Sequence, residues 1–420
     1  MKQFIFIILY SISVQAQKSI LIKNAFIHDG KGNAPFKASV LIKNNIIEKI
    51  ETNEINEQAD TTIDAKNEHL YPGLISCNNI LGIIEAEAIR PTADFWDIGE
   101  FNPHLRTLTS YNTDSKILPT VITNGILYTQ CTPRGGYIAG RSCIVSTDAW
   151  NWEDAALKTE DGVHLYFPSS YFKKGWWAEQ EGMEKNKEFS AQLRKVKAFL
   201  SDAKAYYLQH NTQEFNPRFE AMIDVFNGTQ ILYVHTDRAK DILIAIQTMQ
   251  EFQIKNIVLV GCKESYKVVD IIKKSGFPII LGRMNDLPDD ADSPVNIVYE
   301  TPAILKKNGI LFTVSMQGDM EAMHTRNLPF TSGICAAYGL SKEEVLQLIT
   351  NNAAKITGVD NKIGSIEKGK IASIVISKGD ILDVTSNNIT TIILEGRFIP
   401  VKNFQNELYE KYLAKYHLKN

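Results

Sequence analysis

The sequence predicts an α/β protein, and three observations carry that reading. Short runs rich in β-branched residues fill the first part of the chain, roughly residues 19–71. From 72 to about 362, apolar strands alternate with helical segments, and after Gly364 the chain returns to strands. Alternation of strand and helix over this length argues for a (β/α) barrel. The two β-only stretches look like halves of one sandwich, interrupted by the barrel.

The elements follow in order. Met1-Lys2, the apolar stretch Phe4–Val14 and the small-residue exit Val14-Gln15-Ala16 have the three parts of a signal peptide over 1–16. The expectation is cleavage after Ala16 and export to the periplasm or medium. That stretch is too short for a membrane span, and no later segment reaches about 20 apolar residues. Ser19–Ile27, Ala38–Lys43 and Ile46–Glu51 read as strands, separated by Asp29-Gly30-Lys31-Gly32 and Lys43-Asn44-Asn45. Further on, Gly125–Thr132 reads as a strand, and Glu179–Lys197 as a solvated helix. Next come Ile231–His235 with the helix Arg238–Phe252, Asn256–Val260 with Ser265–Ser275, Pro278–Leu281, and Ile310–Met316 followed by Ser341–Thr350. Ala372–Ser377 and Thr390–Ile399 are the closing strands, before an amphipathic helix over Asn403–Tyr416. The division expected is a sandwich of 17–71 and 363–402, a barrel of 72–362 and a C-terminal helix in 403–420.

Composition narrows the function. With 420 residues, 44% of them hydrophobic, the chain can bury real cores, and a net charge of −3 gives no electrostatic reason to expect nucleic acid as partner. A small-molecule or peptide ligand is expected, with no integral membrane segment once the leader is removed. Cysteines at 77, 131, 143, 262 and 335 are too scattered for a disulfide framework, and no C-x-x-C pair is present. Export would permit a Cys131–Cys143 bridge, although buried free thiols are the commoner state of such residues. The phosphate-loop and Gly-x-Ser-x-Gly patterns are both absent. The aromatic residues Trp150, Trp152, Phe167, Tyr171, Phe172, Trp176 and Trp177 read as core or packing anchors rather than as a stacking cleft.

Several segments resemble a known superfamily. Leu70-Tyr71-Pro72-Gly73-Leu74-Ile75 is similar to the start of the first barrel strand of the amidohydrolases, and Ile363-Gly364-Ser365-Ile366-Glu367-Lys368-Gly369-Lys370-Ile371-Ala372 to their return to the small β domain. Arg326-Asn327-Leu328-Pro329-Phe330, Ala337-Tyr338-Gly339-Leu340 and Ile349-Thr350-Asn351-Asn352-Ala353-Ala354 resemble the imidazolonepropionase-like and prolidase-like branch. The stretch 83–94, Phe101-Asn102-Pro103-His104 and Pro133-Arg134-Gly135-Gly136 resemble a subgroup of that branch whose metal-binding motifs are degenerate. The resemblance implies a distorted TIM barrel, (β/α)8, with a composite β-sandwich. It also implies a metal-activated water that hydrolyses C–N bonds in cyclic amides, peptides or related compounds. Chemistry still resides in the site.

Position by position, the resemblance implies a depleted metal set. The first-strand His-x-His falls on Asn78 and Ile80, and an isoleucine ligates nothing. His235, ending Ile231–Val234, matches the fifth-strand ligand and is the metal candidate. The sixth strand should end in His and ends in Gly261-Cys262. The eighth should end in Asp and reads Gln317-Gly318-Asp319, leaving Asp319 as the nearest metal and catalytic carboxylate. Glu85 and Glu87 alternate, so on an extended segment both would face one side and bind a cation or a substrate amine. Their competing role is a salt-bridged loop with Arg90, Arg106 and Lys116. Arg90, Asp94 and Arg326, with the Gly135-Gly136 backbone, complete the ligand-binding candidates. Zinc needs about three protein ligands, so a divalent metal is doubtful and the cofactor stays unassigned. Two functions remain. One is an exported hydrolase of C–N bonds with a rebuilt metal set. The other is a metal-free, inactive relative that binds a ligand, or assembles as a homo-oligomer or with an active amidohydrolase paralogue.

Overall fold

The protein is described from a computed structural model, in which residues 19–173, 183–209, 214–290 and 292–418 are described. The expected leader 1–16, Glu179 to Gly182, and Trp176 and Trp177 lie outside these residues. Among the described residues twenty strands follow in chain order. The first five are β1 (Ser19–Ile27), β2 (Phe36–Lys43), β3 (Ile46–Glu51), β4 (Thr61–Asp64) and β5 (His69–Pro72). Next come β6 (Leu74–Asn79), β7 (Ile126–Cys131), β8 (Ile138–Arg141), β9 (Cys143–Ser146), β10 (Ala156–Lys158), β11 (Gly162–Tyr166), β12 (Tyr171–Lys173) and β13 (Met183–Lys185). The remainder are β14 (Ile231–Thr236), β15 (Ile257–Gly261), β16 (Ile279–Leu281), β17 (Phe312–Val314), β18 (Ile374–Ser377), β19 (Ile389–Leu394) and β20 (Arg397–Ile399).

Both chain ends enter one eight-stranded sheet, ordered β20-β19-β18-β5-β1-β2-β3 with β4 against β1. The seam is the antiparallel pair β18–β5, with Ile374 opposite Pro72 and Ser377 opposite His69. Alternating Ile and Val side chains make the seam necessary. Ile20, Ile22, Ile27, Val40, Ile42 and Leu70 from the first end are sealed only together with Ile374, Ile376 and Ile393 from the second. Each such side chain contributes about 1.5–3 kcal/mol when fully buried.

The middle of the chain forms two further sheets, β10-β9-β7-β6 and β17-β16-β15-β14-β11-β8. Pairing from β11 through β17 is parallel, and β6 with β7 is parallel too. These strands are buried on both faces, which is why they read as unbroken apolar runs. A parallel bridge between Cys77 and Ser315 links β6 to the residue after β17. Helices Ala239–Glu251, Val269–Ser275 and Ile297–Lys307 connect successive parallel strands. The result is the α/β class expected, with mixed sheets.

Several local expectations change. Thr390–Ile399 is a hairpin rather than one strand, because Glu395 and Gly396 both adopt positive φ, 52° and 75°, as a two-residue turn demands. A Cβ on Gly396 would lie 2.2 Å from the Asn44 carbonyl oxygen, so only glycine fits there. Met183–Lys185 pairs with β12, and the following helix begins at Phe189 and runs to Leu208. That helix is not merely solvated, since Val196, Leu200 and Ala203 form a buried stripe at helical spacing. Ser341 and Glu344 build a capping box on Lys342–Gln347, after which the helix widens to a π turn over Leu348–Asn352. The aromatic residues divide: Phe167 is core, whereas Trp150 and Phe172 are exposed. All five cysteines are buried free thiols; Cys131 and Cys143 face each other across the β7–β9 ladder without a bond. Among the described residues no helix is long and apolar enough to cross a membrane.

Candidate functional site

Polar side chains gather where the central strands end, the place that carries chemistry in parallel α/β sheets. Asn78, at the end of β6, is fully buried with φ 52°, a left-handed conformation that Asn tolerates better than most residues. Its backbone N–H donates to Gln130 Oε1 at 2.8 Å, and its Nδ2 donates to Gln317 Oε1 at 2.8 Å. Gln130, near the end of β7, is itself fixed by donating to Asp161 Oδ2 at 2.6 Å. Asp161 is buried and also accepts from Tyr233 Oη at 2.6 Å, Ser142 Oγ at 3.2 Å and Lys158 Nζ at 2.9 Å. A buried carboxylate with four donors is the pattern burial requires.

Arg134 lies at the centre of these groups. Its Nη1 donates to Asn78 Oδ1 at 3.1 Å and its Nη2 to the Asn78 carbonyl at 3.1 Å. Nη2 also forms an ion pair with Glu321 Oε1 at 2.7 Å, and Nη1 reaches Tyr166 Oη at 3.2 Å. The pair is largely sealed, with Arg134 and Glu321 side chains 16% and 5% exposed. Burial opposes the Arg134 charge, yet the Glu321 carboxylate and Tyr166 hydroxyl outweigh it and hold its pKa above the usual value. Burial likewise pushes the Glu321 carboxyl up, while Arg134 pulls it down. Glu321 Oε2 accepts from the Gly318 N–H at 3.2 Å.

His164 on β11 and His235 on β14 complete the cluster. His164 Nδ1 and His235 Nε2 share a hydrogen bond of 2.9 Å. Tyr166 stacks on His235 at 4.0 Å between ring centroids, and Tyr233 stacks on His164 at 4.5 Å. Burial drives the pKa of both imidazoles well below the usual value, with the Arg134 charge adding to it, so both are neutral at pH 7. His164 Nε2 and His235 Nδ1 are buried and have no hydrogen-bond partner. They are the open valences of an otherwise closed network.

The candidates named from sequence are dispersed. His235 is inside the cluster, and Asn78 is its hub. Ile80 is buried, and Cys262 is a buried thiol whose pKa burial raises. Gly261 has φ 90°, and a Cβ there would lie 2.3 Å from Asp237 Oδ1, so a histidine cannot replace it without rearrangement. Asp319 is exposed; two residues on, Glu321 turns inward and pairs with Arg134. Glu85 and Glu87 do not share an extended face. The chain turns between Ile84 and Ala93, which form a bridge, and Thr92 Oγ1 donates to the Ala86 and Ile89 carbonyls. Glu85 accepts from Asn112 Nδ2 at 3.1 Å and the Lys116 N–H at 3.3 Å, and Glu87 is exposed. The competing salt-bridged loop does not form either: Arg90 stacks over Trp96 at 3.8 Å, and Arg106 pairs with Glu160 at 2.8 Å. Asp94, Gly135 and Gly136 are exposed on the rim, whereas Arg326 sits apart, its carbonyl accepting from Asn124 Nδ2 at 2.8 Å.

Sequence reasoning passed over Gln130, Arg134, Asp161, His164, Tyr166, Gln317 and Glu321 as site residues. A signal existed for two of them. Gly162–Tyr166 is a short apolar strand interrupted by His164 and ending in Tyr166, and polar residues at that point of a buried strand invite attention. Nothing in the local pattern marked Glu321. Among the described residues no three His, Cys, Asp or Glu side chains converge as a metal would need.

Comparison with known proteins agrees with this architecture. Residues 177–399, more than half of the chain, match the model of the amidohydrolase family. A solved amidohydrolase from Thermotoga maritima MSB8 is similar over 91% of this chain and 99% of its own, with a TM-score of 0.79 at 22% identity. A Xaa-Pro dipeptidase with bound methionine covers 91% of this chain and 100% of its own, with a TM-score of 0.57 and 14% identity. A β-aspartyl dipeptidase from Fervidobacterium islandicum AW-1 covers 90% and 96%, with a TM-score of 0.53 and 16% identity. These structural likenesses concern the fold. Among curated proteins no sequence matches the chain. By its family match and its architecture, the chain belongs to the amidohydrolase family, a family of hydrolases of C–N bonds.

Proposed function

We propose that this chain is an exported, metal-free member of the amidohydrolase family that binds a small amide or peptide-like ligand at the strand ends, alone or as partner subunit of an active paralogue. In this reading the two central sheets, linked through Cys77 and Ser315, form a distorted (β/α)8 barrel over 72–362. The chain-end strands of 17–71 and 363–402 form its sandwich. One observation carries the reading: the Arg134 guanidinium rests on both oxygens of Asn78, the residue matched to the first metal-binding histidine. A fixed positive charge repels a metal ion, by about 4 kcal/mol per pair of unit charges 4 Å apart at an intermediate dielectric. Asn78, Ile80, Gly261 and Gln317 supply no charged or imidazole donor in compensation. The residues present therefore do not fit the family's zinc centre.

A second reading, a working hydrolase of small C–N substrates, is favoured by the open nitrogens of His164 and His235. Because the two neutral rings share one proton in their hydrogen bond, one of these nitrogens is an N–H and the other has the free lone pair that can accept a proton or a metal. Metal analysis of purified protein with and without added Zn²⁺, paired with assays on cyclic amides, Xaa-Pro dipeptides and β-aspartyl dipeptides, separates the two. The metal-free reading expects less than one equivalent of zinc, no turnover, and ligand-induced stabilisation. One equivalent in the wild type that is lost in His235→Ala, together with turnover, establishes the hydrolase. Export is checked by N-terminal sequencing, with Gln17 expected first.

A further inference from the structure

A separate cavity of about 260 Å³ lies beside the Arg134 cluster, bounded by Pro133 and by the loops around Asp94 and Thr107. Its lining has an uneven charge. Asp94 and Asp97 are both among its lining residues, and Asp94 has no ion-pair partner among the described residues. Asp97 uses Oδ1 to accept the Ile98 N–H at 2.6 Å, which leaves its second oxygen available. The one lining cation, Arg106, is already engaged, its Nε forming an ion pair with Glu160 Oε1 at 2.8 Å. A second observation is independent of these acids. Thr107 lines the same cavity, is only 6% exposed, and its Oγ1 has no hydrogen-bond partner. A buried hydroxyl left unpaired is costly unless a ligand or water satisfies it. Phe95 and Trp96 supply the apolar wall, and Trp96 already holds a cation, the Arg90 guanidinium, 3.8 Å from its ring centroid.

We propose that this cavity binds a small organic ammonium ion. The N–H groups of the ligand donate to Asp94 and Asp97 and to the Thr107 hydroxyl oxygen, and the hydrocarbon part packs against Phe95 and Trp96. The volume is just below the usual range for ligand pockets, which suits an amine of amino-acid size. Because Pro133 is part of the wall and the Arg134 N–H donates to the Phe95 carbonyl at 2.6 Å, an occupant touches the loop that carries the central guanidinium.

The test is calorimetric titration of the full chain with 2-phenylethylamine, its neutral counterpart 2-phenylethanol, and glycyl-phenylalanine amide as a peptide source of the same ammonium group. The expected result is saturable one-to-one binding of the amine and none of the alcohol, weakened at least tenfold in Asp94→Asn and in Asp97→Asn. Both acids are exposed, so these variants should fold as the wild type does, which thermal melting verifies. Thr107→Val should weaken binding as well. Tighter binding of the peptide amide than of the amine assigns the ammonium to a peptide N-terminus and upholds the site. Equal binding of alcohol and amine, affinity unchanged in both Asp variants, or no saturable binding of any probe up to about 10 mM overturns it. The site does not depend on whether Arg134 displaces a metal, since metal content is measured separately.

Discussion

In the chain-end sheet, Ile22, Ile27, Val40, Leu70 and Ile374 are closed off from water by one another. In the central sheets, Asn78, Gln130, Arg134, Asp161 and Glu321 are closed off by hydrogen bonds and an ion pair. The difference teaches how each region answers to change. Apolar burial is non-directional and roughly proportional to area, so losing a methyl group costs only that group and its cavity. A buried polar network is directional, and removing one member leaves its partner's charge or donor stranded.

The largest expected effect breaks the polar side of that contrast. Arg134→Met strands the Glu321 carboxylate and should cost about 3–5 kcal/mol in urea denaturation. Adding Glu321→Met should recover part of it, because two apolar side chains no longer leave a charge unpaired. If the single substitution costs under about 1 kcal/mol, Glu321 reaches water and the network is not sealed.

Acid sharpens the same contrast. His164 and His235 have folded pKa values depressed below the unfolded value of about 6.5, so they favour the folded state fully above that pH. Stability is lost as pH falls from about 6.5 toward the folded values, because only the unfolded chain takes up the protons. Each imidazole adds a slope of up to about 1.4 kcal/mol per pH unit in that window. In His235→Phe the slope should drop by one proton's share. An unchanged slope places the acid sensitivity elsewhere.

The apolar side should be mild and additive. Ile42→Val on β2 and Ile393→Val on β19 should each cost about 0.5–1.5 kcal/mol, and the double variant should equal their sum within about 0.5 kcal/mol. Strong coupling between these strands, which are not neighbours in the sheet, would contradict simple packing. The smallest effect belongs to the surface. Lys342 and Asp380 pair at 2.7 Å, with Lys342 68% exposed, and Lys342→Ala should cost about 0.2–1 kcal/mol, vanishing in high salt.

Much of the scaffold was legible because its signals are local. Ser19–Ile27 and Ile46–Glu51 have the expected bounds, and Ile231–His235 and Asn256–Val260 are displaced by a residue or less. Period-two and apolar runs announce strands whatever they later pair with. Turn chemistry was read less well, as the hairpin at Glu395-Gly396 shows.

By itself the sequence determined the strand and helix alternation, the Asn and Ile at 78 and 80 where the resemblance expects histidine, and the place of His235 at a strand end. Only the tertiary structure decided which side chains meet around Asn78 and His235. Arg134 and Glu321 are 187 residues apart, and His164 and His235 are 71 apart. No periodicity links positions so distant, because their meeting depends on the lateral order of strands in a sheet. The choice between Asp319 and Glu321 is finer still. Met320 adopts φ 52° between them, and with that turn of the backbone one carboxylate stays in water while the other meets Arg134.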